Sequence, residues 1–197
     1  YYDDKFDSGA AEGFYNSIDL NANGMVDKQE YDKQRKKSPF QPLGTTILDA
    51  IQDVVKMNKG TVLYDPLAKK LPSGHTIIAV IGEHPYTEGF GDSPDIGISS
   101  FDKDILKKCY KSGNEIVVVI LSGRPLMIEN HIKNWDALIA AWLPGMAGEG
   151  VADVLFGDYN PTGKLSYTWP KNISQVPINI GDETYDPLFS FGYGLSY

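Results

Sequence analysis

The chain has 197 residues, a formal net charge of −8 and a pI near 4.8, which argues against a nucleic-acid partner because no basic face exists to neutralise phosphates. Hydrophobic residues make up 42% and aromatic residues 12%, enough to fill a packed core and to exclude general disorder. Cys109 alone cannot form an intrachain disulfide, and no apolar stretch approaches the ~20 residues needed to span a bilayer.

The chain opens at Tyr1-Tyr-Asp-Asp, with no initiator Met and no signal peptide, which suggests a processed chain or a piece of a longer one. Residues 1–40 are polar, charged and poor in β-branched residues. Within them, Asp19-Leu-Asn-Ala-Asn-Gly-Met-Val-Asp-Lys-Gln-Glu30 matches the twelve-residue EF-hand loop. Oxygen ligands fall at Asp19, Asn21 and Asn23, and Gly24 stands at the sharp turn. Met25 offers its backbone carbonyl, Asp27 acts directly or through water, and Glu30 closes the site with two oxygens. A hard cation needs this many oxygens from one short segment, and only a glycine wraps the chain tightly enough. Helices are expected on either side, from Gly9 to Ile18 and from Lys28 to Lys36.

Asn at two ligand positions lowers the negative charge, so the affinity expected for Ca²⁺ is modest, toward the extracellular end of the range. EF-hands usually pair, and no second loop follows, so a structural clip is favoured over a sensor. A dockerin-like module is the nearest competitor, but it would show two such loops and usually Asp where Glu30 stands. The basic cluster Lys33-Gln-Arg-Lys-Lys37 reads as the solvated end of a helix. Ser38-Pro-Phe-Gln-Pro42 closes the segment as a linker.

From Gly44 the pattern alternates. Thr45 to Lys56 predicts a helix capped by Thr45 or Thr46, with Ile47, Ile51, Val54 and Val55 on one stripe. Thr61-Val-Leu-Tyr64 predicts a short strand, Asp65 to Gly74 a loop or short helix, and Thr76-Ile-Ile-Ala-Val-Ile81 a buried strand. Ser99 to Lys111 predicts a helix, on which Cys109 reads as a structural thiol. Glu115-Ile-Val-Val-Val-Ile-Leu121 is the strongest strand, apolar on both faces. A tight loop, Ser122-Gly-Arg-Pro-Leu126, follows it. Beyond it, Ile132 to Trp135 predicts a helix, Asp136 to Trp142 a strand, Glu149 to Leu155 a helix stopped at Gly157, and Lys164 to Trp169 a late strand. The alternation implies an α/β fold, a mostly parallel sheet sandwiched between helices.

Where the strand Thr76–Ile81 ends, the chain enters Ile81-Gly-Glu-His-Pro-Tyr-Thr-Glu-Gly-Phe-Gly-Asp92. Ligands bind at the carboxyl ends of strands in open α/β sheets, and an acid there, at Glu83, Glu88 or Asp92, is placed to serve as a proton donor. Position alone does not choose among the three. Phe90 and Asp92 stand near enough along the loop to line a binding site. His84, before Pro85, reads as fixing a turn, and Arg124 as anchoring neighbouring loops through bidentate hydrogen bonds. Tyr167 and the late tryptophans read as core aromatics. Asn172-Ile-Ser174 is a glycosylation sequon, meaningful only in a eukaryotic secretory pathway.

From Gly44 onward, the ordered segments resemble the second domain of glycoside hydrolase family 3, the β-glucosidases and exo-β-glucanases. They are Gly44-Thr-Thr-Ile-Leu-Asp-Ala-Ile51, Val80-Ile-Gly-Glu-His-Pro-Tyr-Thr-Glu88, Ser122-Gly-Arg-Pro-Leu126 and Ala140-Ala-Trp-Leu-Pro-Gly145. Gly150-Val-Ala-Asp-Val-Leu-Phe-Gly-Asp158, Asn160-Pro-Thr-Gly-Lys-Leu165, Tyr185-Asp-Pro-Leu-Phe189 and Phe191-Gly-Tyr-Gly-Leu195 continue the series. The resemblance implies a retaining mechanism with two carboxylates about 5–5.5 Å apart. It makes Glu88 the acid/base, and it places the Asp nucleophile on a (β/α)8 barrel for which these residues leave no room. This chain alone is therefore expected to be inactive.

The family's second domain normally begins with an extra strand and helix, and with a tryptophan-bearing stretch just ahead of the Gly-Thr-Thr segment. Neither matches here, and the calcium loop stands in their place. The expected organisation is an EF-hand-like insertion at 1–40 and a sandwich domain at 41–197, incomplete on its N-terminal side. The partners implied are a β-glucoside or β-glucan oligosaccharide and the barrel portion, with neither nucleic acid nor membrane. The exposed position of the calcium loop suggests a homodimer contact. Ca²⁺ is the structural cofactor, catalysis needs none, and the location expected is extracellular or periplasmic. The competing reading is a non-catalytic calcium-binding interaction module with a relict sandwich domain.

Overall fold

Three short apolar runs form the sheet: β1 (Thr76–Gly82), β2 (Glu115–Leu121) and β3 (Ala137–Trp142). The computed structural model describes residues 44–86 and 88–197; the predicted calcium loop and its flanking helices lie outside the described residues. β1 pairs with β2 and β2 with β3, both parallel, in the order β1-β2-β3. Parallel neighbours need a crossover. The first is made by α2 (Ser100–Ser112) and the second by the short α3 (Glu129–Ile132). Before the sheet comes α1 (Ile47–Met57), and after it α4 (Gly148–Phe156).

The helix ends follow local chemistry. Thr46 caps α1, its Oγ1 accepting from the Asp49 amide at 3.1 Å and donating to Asp49 Oδ2 at 2.7 Å. Ser99 caps α2 in the same way, accepting from the Asp102 amide at 3.0 Å. Gly113 and Gly157 end α2 and α4 in the left-handed region, at φ 70° and 83°. The N-termini of α1 and α4 lie against each other, with the Thr45 amide donating to Met146 O and the Gly148 amide to Thr45 O, both at 3.0 Å. Only a glycine permits this approach, since a Cβ at position 148 would stand 2.4 Å from the Thr46 carbonyl carbon.

One face of the sheet carries the main core. Ala79 and Ile81 of β1 and Ile116, Val118 and Ile120 of β2 pack with Leu106 and Cys109 of α2 and with Ile98, Leu126 and Ile128 of the loops. Cys109 is buried and unpaired to any other cysteine, as a structural thiol should be, and burial pushes its pKa up. On β2 the opposite-facing Val119 is also fully buried, which matches the doubly covered strand that its sequence predicts.

Four expectations need correction. Thr61–Tyr64 forms no strand: its β-branched composition finds no ladder partner, and Leu63 is exposed. Lys164–Trp169 contributes only an isolated antiparallel bridge between Trp169 and Phe189, because Gly and Pro break the chain around it. The helix expected over Ile132–Trp135 lies earlier, at Glu129–Ile132, so that Trp135 can turn inward to the core. Tyr167 is 60% exposed instead of core, although Trp169, two residues on, is 1% exposed and donates from Nε1 to Leu126 O at 2.7 Å.

Candidate functional site

All three strands end on one side: β1 at Gly82, β2 at Leu121 and β3 at Trp142. The Glu83 amide donates to Leu121 O at 3.0 Å and the Ser122 amide to Trp142 O at 3.1 Å, so the loops leave the sheet tied to its last carbonyls. The ladder shifts register between Ile120 and Leu121, and Trp142 takes a φ of 53° to meet it. A bulky residue in the left-handed region is held by its surroundings at a cost of ~1–3 kcal/mol, and such strain gathers at functional sites.

The loop after β1 is organised around a cation supplied by the loop after β2. Arg124 Nε and Nη2 both donate to Glu83 Oε1, at 2.9 and 2.7 Å, and Nη1 donates to Gly91 O at 2.6 Å. Its guanidinium lies 4.5 Å from the centroid of the Tyr86 ring. The Tyr86 hydroxyl donates to Glu83 Oε2 at 3.2 Å and accepts from the Gly123 amide. Desolvation, joined by the charge of Glu83, raises the Tyr86 pKa, so the phenol keeps its proton as donor. Arg124 itself is set by Ser122, which is buried and donates from Oγ to Arg124 O at 2.7 Å. The sequence expectation for Arg124 as a loop anchor holds, and its fork geometry makes the grip bidentate.

Of the three acids in the loop, Glu83 is thus engaged in an ion pair with Arg124 and is not free for chemistry. Asp92 is exposed, and its amide donates to Gly89 O at 3.4 Å. Glu88 opens the 3-10 turn Glu88–Gly91, in which Phe90 also sits; the side chains of both lie outside the described atoms. The backbone therefore brings Glu88, Phe90 and Asp92 into one short stretch at the end of β1. His84 is exposed. Asp19, Asn21, Asn23, Met25, Asp27 and Glu30 lie outside the described residues. Among the described residues no cluster of His, Cys, Asp or Glu has the form of a metal site, and no helix is long and apolar enough to cross a membrane.

Sequence reasoning missed Asp102. It stands in the first turn of α2, below the loop, where burial raises its pKa against hydrogen bonds from Ser99 and the Gly82 amide and against the attraction of His84. Its helix-start position signalled only a favourable dipole contact; nothing local announced that α2 would press it against the end of β1.

Comparison with known proteins agrees with this architecture. Residues 15–197 match the glycosyl hydrolase family 3 C-terminal domain. A β-xylosidase of Formosa agariphila is 35% identical over 139 residues, which cover 61% of this chain and 19% of that protein. A periplasmic β-glucosidase of Salmonella typhimurium is 30% identical over 175 residues, covering 76% of this chain and 23% of that one. Among solved structures, an exo-1,3/1,4-β-glucanase from a Pseudoalteromonas species superposes with a TM-score of 0.72 at 39% identity, covering 79% of this chain and 21% of that chain. The chain spans about a fifth of the length of these relatives. With a parallel α/β sheet and a match over residues 15–197, the chain belongs to the C-terminal domain family of glycoside hydrolase family 3.

Proposed function

We propose that this domain supplies the acid/base carboxyl of a retaining β-glucosidase or exo-β-glucanase that releases terminal β-D-glucosyl residues, and that Glu88 is that group. The observation that carries the reading is the acidic loop at the carboxyl end of β1, in which Glu83 is committed to Arg124 while Glu88 heads its own turn above the strand. In the first step Glu88 protonates the leaving glycosidic oxygen while an Asp nucleophile attacks the anomeric carbon. In the second it takes a proton from the water that attacks the anomeric carbon, the bond to the Asp carboxylate breaks, and the sugar leaves with the water oxygen. The nucleophile would come from a barrel portion outside these residues, so the 197-residue chain by itself is inactive in this reading. Substrate contacts would involve Phe90 and Asp92. A glucosyl specificity draws support from the exoglucanase and glucosidase relatives, while the β-xylosidase relative makes xylosides the comparison substrate.

In the complete enzyme, Glu88→Ala should lower kcat/KM on unactivated glucosides by about 10²–10⁴-fold, and azide should restore turnover of activated aryl glucosides as the glucosyl azide. Unchanged activity would remove Glu88 from this role.

The same proposal assigns a structural Ca²⁺ to Asp19, Asn21, Asn23, Met25, Asp27 and Glu30, on the strength of the loop sequence. Calorimetry on EDTA-stripped protein should show one site of modest affinity, and silence up to millimolar Ca²⁺ would refute it. An extracellular or periplasmic location suits such a site, and the relative from Salmonella typhimurium is named periplasmic.

A further inference from the structure

We infer that Arg124 is a positioning residue for the acid/base, acting by gripping both ends of the loop that carries it; this rests on the assignment of Glu88 above. The loop leaves β1 at Glu83 and completes its 3-10 turn at Gly91. Arg124 holds the first end through two hydrogen bonds to the Glu83 carboxylate, at 2.9 and 2.7 Å, and the second through one to Gly91 O, at 2.6 Å. Among the described residues, no other side chain is hydrogen-bonded to both ends. Glu83 and Gly91, the two ends of this stretch, are thereby tied to one guanidinium.

The stretch is packed as well as tied. Tyr86 lies within it, stacked on Arg124 and hydrogen-bonded to Glu83 Oε2. A Cβ on Gly91 would fall 2.2 Å from Tyr86 Cδ2, so the far end of the stretch is in direct contact with the ring. From the other side, the Arg124 backbone is fixed by buried Ser122, and Ser122 by the last carbonyl of β3. The position of the turn that begins at Glu88 is thereby referred to all three strand ends.

Glu83 satisfies the Arg124 charge, and the pair is largely shielded, with side-chain exposures of 26% for Arg124 and 15% for Glu83. Arg124 is therefore not offered to substrate as a cation. Its effect on the reaction is geometric, and a geometric effect has its own signature. A proton donor must lie within hydrogen-bond reach of the leaving oxygen, and a displacement of about 1 Å costs on the order of 10²-fold. That cost falls only where the leaving group needs a proton. Dinitrophenolate leaves without one, whereas an alkoxide or a sugar hydroxylate does not.

The test is a leaving-group series in the complete enzyme that carries this domain, using Arg124→Lys and Arg124→Gln with Glu88→Ala in parallel. Lys keeps the charge and the stem but cannot span Glu83 and Gly91 together. The expected result is a kcat/KM loss of about 10²-fold on cellobiose and alkyl glucosides and only a few-fold on dinitrophenyl glucoside, for Lys as for Gln. In the 197-residue chain, hydrogen exchange should quicken in peptides from 83–91 while β1 and β2 keep their protection.

An equal loss across all leaving groups, or no loss, overturns the inference for Arg124 while Glu88→Ala still shows the leaving-group dependence. If Glu88→Ala shows none, the acid/base assignment and the inference fall together. Faster exchange spread over the whole sheet would equally overturn it, by showing a general folding role. Where the Gln variant does not fold, the Lys variant decides.

Discussion

Two regions of this domain are held together by different physics. The loops at the strand ends cohere through polar contacts, with Arg124, Glu83, Tyr86 and the Gly91 carbonyl linked in one cluster in which the Arg124–Glu83 pair is largely shielded. The C-terminal segment beyond α4 has little regular structure and coheres through aromatic burial. Trp169 sits at its centre, edge-on to Phe189 at 6.2 Å and 6.0 Å from Trp142, and Phe189 stacks on Tyr193 at 4.8 Å. The backbone repeats the pattern in small pieces: Leu165 donates to Tyr193 O, and Trp169 and Leu188 donate to the carbonyls of Phe189 and Trp169, all at 2.8 Å. A polar cluster fixes direction, because charge-assisted hydrogen bonds weaken steeply out of line. An aromatic cluster supplies burial and tolerates irregular backbone. The first suits a group that must be aimed, and the second suits a segment that must only be kept in place.

The contrast breaks most sharply at Trp169. Trp169→Ala removes a fully buried ring and strands the Leu126 carbonyl, so a loss of about 3–5 kcal/mol is expected in denaturant unfolding. Near-wild-type stability would mean that the segment is not anchored there. On the polar side, Gly91→Ala drives a methyl into the Tyr86 ring while Arg124 keeps that ring from moving away. A cost of about 1–3 kcal/mol is expected, with hydrogen exchange rising in 83–91 more than elsewhere. Parallel increases in the C-terminal segment would show that the two regions are not independent.

The smallest effect concerns Asp102. Burial raises its pKa above the ordinary 3.8, so the folded chain keeps the proton to higher pH than the unfolded chain does. Below that value both states are protonated and nothing is lost. As pH rises, the unfolded chain ionises first and stability falls, until the folded carboxyl has also ionised and the curve levels. Asp102→Asn keeps an acceptor for the Gly82 amide but removes the titration. Its stability relative to wild type should improve as pH rises from about 3.8 through the folded pKa, and a difference independent of pH would contradict the assignment.

Much of this was legible in the chain itself. The strand at Glu115–Leu121 was readable because parallel strands covered on both faces are short, β-branched and unbroken. Thr76–Ile81 was readable from the same composition, although its Val80 is exposed and only one of its faces is buried. The helices α1 and α2 were readable because Thr46 and Ser99 announce them with caps. Arg124 was readable as an anchor from its chemistry, though not its partners, which stand 41 and 33 residues away in sequence. Segments without a local signature misled: Thr61–Tyr64 has strand composition but no neighbour to pair with, and Tyr167 has the aromatic character of Trp169 but faces solvent.

The sequence by itself determined which segments are apolar, where helices begin and which loop carries the acids, because these depend on neighbours within a few positions. Tertiary structure decided which acid is committed to a partner. Glu83 and Glu88 are the same residue type in the same loop, and only the arrival of Arg124 from the end of β2 draws Glu83 into an ion pair. The same holds for Asp102, ordinary in its helix and desolvated only because α2 lies against the end of β1. Charge pairing and burial are properties of what comes together in space, and the order of residues along the chain does not contain them until the sheet has formed.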